Sequence, residues 1–189
     1  PHDYPWPAMD KARPAGHDPG MYSDNKAYPD HALRPRLHFT PQANWMNDPN
    51  GLIFHEGEWH LFYQHNAHGR SWGHMEWGHA VSENLLHWKS LPIALHEEAD
   101  CTMFSGSVVF DEGNTSGFAP GERGPLVAVY TADYPATGTR RKLQTIHIAW
   151  SLDNGRTFTK YEDNPVIDAD EAKFGDPRVL WHEPTGRWV

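Results

Sequence analysis

The 189-residue chain has one cysteine, Cys101. An intrachain disulfide and a cysteine-built zinc cage are therefore excluded. A single thiol assigns no compartment, since secreted chains can lack disulfides and cytosolic ones can have few thiols. No run of Lys and Arg appears, and the formal net charge is −9 with a pI near 5.8. Nucleic acid and anionic membrane surfaces are thus poor partners. No apolar stretch approaches the roughly 20 residues that span a bilayer, and no basic-then-apolar leader opens the chain. No helical period persists over a dozen residues. The last residues, "TGRWV", read as a strand in progress, so the expectation is a piece of a longer protein.

Aromatic residues are plentiful, at 13% with nine tryptophans, against a modest 38% hydrophobic content. That composition is not one of a disordered chain. Residues 1–33 are rich in Pro, Gly, Asp and His, and show no period. They read as an irregular extension, pinned by Trp6 and Tyr22. From Arg34 to Val189, short runs of Val, Ile, Phe, Tyr and Trp alternate with turn clusters, which argues for an all-β domain. "GLIFHEGEWHLFYQHN" predicts a hairpin turning at Glu56-Gly57.

The strands fall into repeating units. "DPNGLIFHEGEWHL" from Asp48 and "DPRVLWHEPTGRWV" from Asp176 share Asp-Pro, an apolar strand, His-Glu, a turn and Trp. "SGSVVFDEG", Ser105 to Gly113, fits the same frame. "AVSENLLHW" and "AWSLDNGRTF" also correspond, and the second matches the Asp-box hairpin, in which Ser and Asp side chains hold a turn. Units of roughly 55–70 residues with several strands each suit a β-propeller. The chain would hold two blades and the first strands of a third. The rival is one β-sandwich with accidental repeats.

Within such a frame, Asp48 and Asp176 begin equivalent strands beside the propeller axis. Two carboxylates would then converge on one pocket, the arrangement used in glycoside hydrolysis. The plain alternative is that each Asp caps a turn. Trp45, Trp72, Trp77, Phe62 and Phe104 cluster near these turns, where aromatic faces could pack on sugars, or simply form core. Gln64, Asn66 and Ser105 could bond hydroxyls. His55 and His60 of "HEGEWH" lie five apart, not the four of a helical zinc motif, so no metal site is expected. His68, His74 and His79 show no ligand rhythm and read as solvated or core-edge histidines. "NTS" at Asn114 matches an N-glycosylation acceptor.

Six stretches then name a family: "HFTPQANWMNDPNGL", "HLFYQHN", "WGHAVSENLLHW", "FSGSVVFDEGNTSGF", "SLDNGRTFTKYEDNPV" and "FGDPRVLWHEP". In this order they closely resemble the invertase, inulinase and levanase family of fructosidases, glycoside hydrolase family 32, from about Leu37 to Val189. The resemblance implies a five-bladed β-propeller followed by a β-sandwich. It implies retaining cleavage of β-fructofuranosides in fructan or sucrose, with no cofactor and a secreted location. Asp48 would be the nucleophile and Asp176 the transition-state stabiliser. Asn47, Gln64, Trp72, Phe104 and Ser105 would line the fructose pocket. The run through "WGHMEWGHAVSENLLHW" looks most like the exo-acting fructanases, with invertase, fructosyltransferase and a non-catalytic fructan-binding protein as alternatives. Two departures stand out. The family's acid/base Glu lies beyond the stretch that matches, and the Arg of the family's Arg-Asp-Pro is Gly175 here. Arg140, Arg141 and Arg178 are the candidates to replace it.

Overall fold

The computed structural model describes residues 33–35, 37–121, 123–137, 140 and 142–189. The irregular extension, with Trp6 and Tyr22, lies outside them apart from Leu33. The described residues contain eleven strands, β1 to β11, and no α-helix. Strands β1 (Trp45–His55), β2 (Glu58–Asn66), β3 (Glu76–Ser82) and β4 (Lys89–Leu95) form one antiparallel meander. Strands β5 (Thr102–Phe110), β6 (Leu126–Asp133), β7 (Gln144–Ser151) and β8 (Thr159–Lys160) form a second, and β9 (Ile167–Glu171) also pairs with β7. Strands β10 (Trp181–His182) and β11 (Arg187–Trp188) make a third hairpin. The strand order restarts at β5, and β5 lies against β1. Two successive meanders, and the hairpin of another, match the repeat reading.

Local chemistry explains the turns. His55 pairs with Glu58, leaving Glu56 and Gly57 as a two-residue loop. Both have positive φ, 48° and 86°, the conformation whose twist matches a tight hairpin. After β3, Ser82 Oγ accepts the Leu85 amide at 2.9 Å, and Asn84 Oδ1 accepts the amides of Leu86 and His87. After β7, Ser151 Oγ donates to Asp153 Oδ1 at 2.8 Å and accepts the Gly155 amide at 2.8 Å. Asp153 also accepts the amide and hydroxyl of Thr157. The two corresponding motifs are thus the same turn, closed by Asn in one meander and Asp in the other. Burial raises the Asp153 carboxyl, but these hydrogen bonds outweigh it and hold the group below its ordinary range.

The core sits between the two meanders. In β6, Leu126, Ala128, Tyr130 and Ala132 face Phe62, Trp77, Leu95 and Met103, while Val127 and Val129 face the opposite side with Ile146, Phe174 and Val179. This two-residue alternation buries both faces of the strand. Leu52 and Leu180, equivalent in the Asp-Pro repeat, are about half exposed at 56% and 49%.

Three sequence expectations change here. His79 is neither solvated nor at the core edge: it is fully buried, stacked on Phe62 at 4.2 Å, with Nε2 3.1 Å from His60 Nδ1. A strand buried on both faces puts every side chain inside. Phe62 and Trp77 are likewise core, at 0% exposure, rather than sugar platforms. At Asn114, Nδ2 donates to the carbonyls of Ala119 and Gly121, and Oδ1 accepts the Ala119 amide. Its amide closes a loop, so a glycan there would cost those bonds.

Candidate active site

Backbone irregularities place the site. The β1–β2 register slips between Met46 and Pro49, and Asn47 and Asp48 occupy that slip. The β5–β6 register slips between Met103 and Gly106, and Phe104 and Ser105 occupy that one. An extra residue in a strand re-aims its side chain, a device common beside active sites. Both slips open on the side where β1 and β5 meet. Gly51 permits the approach: its φ is +52°, and an added Cβ would lie 2.5 Å from Val108 Cγ2.

The result is a depression of about 460 Å³, within the range of small-ligand sites. It is lined by Asn47, Asp48, Gln64, Phe104 and Ser105 from the first two sheets, by Trp72 from the link between β2 and β3, and by Asp176 from the link between β9 and β10. The seven residues that the family resemblance nominates therefore come together, whereas Asn66 is buried and donates to the Ser71 carbonyl. Asp48 Oδ2 accepts a hydrogen bond from Ser105 Oγ at 3.3 Å. Gln64 is buried and donates Nε2 to the Met103 carbonyl at 2.9 Å, leaving its Oε1 as the free acceptor side of the amide. Asn47 Oδ1 accepts the Trp45 indole N–H at 3.1 Å. Trp72, 46% exposed, meets Phe104 edge-on with ring centres 6.1 Å apart. The depression thus offers two exposed carboxylates, two amides, a hydroxyl and an aromatic corner. Carboxylates and amides bond sugar hydroxyls, and the aromatic corner suits the C–H surface of a ring.

Four further residues complete the lining: Thr131, Gln144, Lys173 and Gly175. Sequence reasoning missed the first three. Thr131 and Gln144 belong to β6 and β7, whose sequences read simply as strands. Lys173 is the one basic side chain among the described lining residues. The arginines nominated to replace the one absent at Gly175 do not line this depression among the described residues. Arg140 pairs with Asp168 and lies over the Tyr134 ring. Arg178 lines an adjoining depression that shares Asp48, Ser105 and Asp176 with the first. Arg141 lies outside the described residues.

A small acidic group lies apart from the depression. Glu98, Asp100 and Cys101 bring their ligand atoms within 4.8 Å of one another. Lys160 Nζ already occupies Glu98 at 2.7 Å, and burial, then the two carboxylates, push the Cys101 thiol up to about 12. A neutral thiol beside an engaged carboxylate is a poor metal ligand set.

A model of the glycosyl hydrolases family 32 N-terminal domain matches residues 38–189. The chain belongs to glycosyl hydrolase family 32. A levanase from Bacillus subtilis is 51% identical to this family 32 chain over 166 residues, covering 87% of the chain and 24% of that protein. An extracellular exo-inulinase from Aspergillus awamori is 46% identical over 180 residues, covering 85% of the chain and 34% of the relative. The solved structure of a β-fructofuranosidase from Schwanniomyces occidentalis, complexed with fructosyl-erythritol, matches with a TM-score of 0.76 at 46% identity. That match covers 82% of this chain and 30% of the other. The two meanders are therefore blades of the five-bladed β-propeller that forms the family 32 N-terminal domain. The chain spans about a quarter to a third of the length of the relatives it matches.

Proposed function

We propose that residues 34–189 form the nucleophile-bearing part of the catalytic propeller of a secreted, retaining fructosidase. Its substrate is terminal β-fructofuranosyl units of fructan, with sucrose as the smaller alternative. One observation carries this reading: seven side chains nominated from separate motifs line a single depression containing two exposed carboxylates. The levanase and exo-inulinase similarities support fructan as the substrate class, and the extracellular exo-inulinase supports secretion.

In this mechanism Asp48 attacks C2 of the fructosyl unit, the bond to the leaving oxygen breaks, and a covalent fructosyl-enzyme forms. Ser105 keeps the attacking carboxylate in place through its 3.3 Å hydrogen bond. Asp176 accepts hydroxyl hydrogen bonds and stabilises positive charge at the anomeric centre. Trp72 and Phe104 shield one side of the ring. Water then releases fructose with retention. Protonation of the leaving oxygen needs a third carboxyl group. Among the described residues the carboxylates of the depression are Asp48 and Asp176 alone, and the family resemblance assigns the acid to a further Glu of the full-length protein. Carboxylate chemistry of this kind requires no metal or organic cofactor.

The direct test is Asp48→Asn in the full-length protein, assayed on levan, inulin and sucrose. Turnover is expected to vanish while thermal unfolding stays unchanged. Rates near wild type would refute the assignment.

A further inference from the structure

The geometry points to Thr131 as the positioning residue that sets Asp176 against Asp48, with Gln144 as its second clamp and Gly175 as the gap that lets the clamp close. This rests on the fructosidase reading for its consequence, though not for its geometry. Thr131 is 1% exposed, and its hydroxyl is fully used. Oγ1 accepts the Asp176 amide at 2.8 Å and donates to the Ser105 carbonyl at 3.1 Å. Ser105 in turn donates Oγ to Asp48 Oδ2. One hydroxyl on β6 therefore ties the backbone of one carboxylate to the strand that holds the other.

Gln144 grips the same segment two residues earlier. Its Oε1 accepts the Phe174 amide at 3.1 Å, and its Nε2 donates to Asp133 Oδ1 at 3.0 Å. Thr131 and Gln144 come from adjacent strands, near the β6–β7 pairing of Asp133 with Gln144. Between the two gripped amides lies Gly175. An added Cβ there would sit 2.9 Å from Thr131 Oγ1, 3.0 Å from Thr131 Cγ2 and 3.1 Å from Gln144 Oε1. A side chain there would press on the Thr131 hydroxyl and require Gln144 Oε1 to give by a few tenths of an ångström. Asp176 itself has φ +55°, a left-handed conformation uncommon for non-glycine residues though less so for Asp. The Thr131 hydrogen bond to its amide helps hold that conformation. Gly175 thus fits closely against both clamps, and an arginine at this position is expected to loosen them.

The experiment uses the full-length protein with Thr131→Val, Thr131→Ser, Gly175→Ala and Gly175→Arg. The readouts are steady-state kinetics on levan and sucrose and hydrogen exchange of the 174–176 amides by mass spectrometry. Valine keeps the shape and removes the hydroxyl. Thr131→Val is expected to accelerate exchange at Asp176 and lower kcat about 10- to 100-fold, the cost of a small misplacement of a reacting group. Thr131→Ser should restore kcat to within about threefold of wild type. Gly175→Arg should fall below wild type in kcat. Unchanged exchange in Thr131→Val overturns the clamp. Faster exchange with wild-type kcat, no rescue by serine, or a gain in Gly175→Arg overturns the positioning role. If Thr131→Val does not fold, Gly175→Ala drives a methyl onto the same hydroxyl, and wild-type kcat in that variant overturns the inference. A wild-type protein inactive on every fructoside would defeat the fructosidase reading, while the exchange data would still decide the clamp.

Discussion

The two Asp-Pro sites come from one repeat and end in different structures. Asp48 lies inside a strand, β1, at a register slip, and is steadied through its side chain by Ser105. Asp176 lies outside any strand, in a left-handed turn, and is steadied through its backbone by Thr131. An equivalent sequence position therefore does not enforce equivalent geometry. The difference suits two roles. A nucleophile must approach carbon along one line, and a strand gives it a fixed base with a short, directed side chain. A stabilising carboxylate must sit across the pocket, so its backbone is carried there by a turn.

Substitutions at both sites should separate these roles. Asp48→Asn is expected to remove at least about 10⁴-fold from kcat, since no covalent intermediate can form. Asp176→Asn keeps its backbone clamp and loses only charge, so a smaller fall of about 10²- to 10³-fold is expected. Equal losses, or a greater loss at Asp176, would collapse the distinction.

The foundations of the two sites should also respond to acid. In the sheet that carries Asp48, His60 and His79 are buried on β2 and β3, and burial holds both below the ordinary 6.5, His79 by the larger margin. In the sheet that clamps Asp176, His147 on β7 is lowered by burial to about 4. A histidine with a depressed folded value binds fewer protons folded than unfolded. Its contribution is complete above 6.5 and drains as pH falls toward the folded value. Thermal stability is therefore expected to fall between pH 6.5 and about 4, with the His147 ring still neutral at pH 5.5 by NMR. A His147 titration midpoint near 6.5 would refute this.

The smallest effect is expected at Lys173, the basic side chain of the lining. Lys173→Met should raise KM for fructan by about three- to tenfold, with kcat nearly unchanged, because an exposed ammonium binds hydroxyls weakly. A change in kcat alone would place Lys173 in the chemistry and not in binding.

Much of this was readable from the chain. Hairpins announce themselves through Glu56-Gly57, and the paired turns through Ser82 with Asn84 and Ser151 with Asp153, because turn chemistry is local. The pocket residues were readable because the motifs that hold them resemble those of the family. Asn47 with Asp48, and Phe104 with Ser105, sit in short motifs around bends, where the backbone itself aims the side chain. Trp77, Phe62 and His79 were harder, since a strand buried on both faces loses the alternation that separates core from site. Thr131 and Gln144 carried no signal at all. A threonine and a glutamine in strands are ordinary, and their importance depends on what lies across the sheet.

The order of residues alone determined the all-β character and the turns, and its repeat nominated the two Asp-Pro carboxylates. Strands and turns follow from neighbours within a few positions, through turn preference and period-2 burial. Tertiary structure decided the rest. Asp48 and Asp176 come together only because β1 and β5 pack side by side and the segment after β9 returns across β6 and β7. The fit of Gly175 against Thr131 and Gln144 is likewise a matter of a few tenths of an ångström between distant segments. Such contacts depend on strand register and packing, which no local stretch of residues specifies.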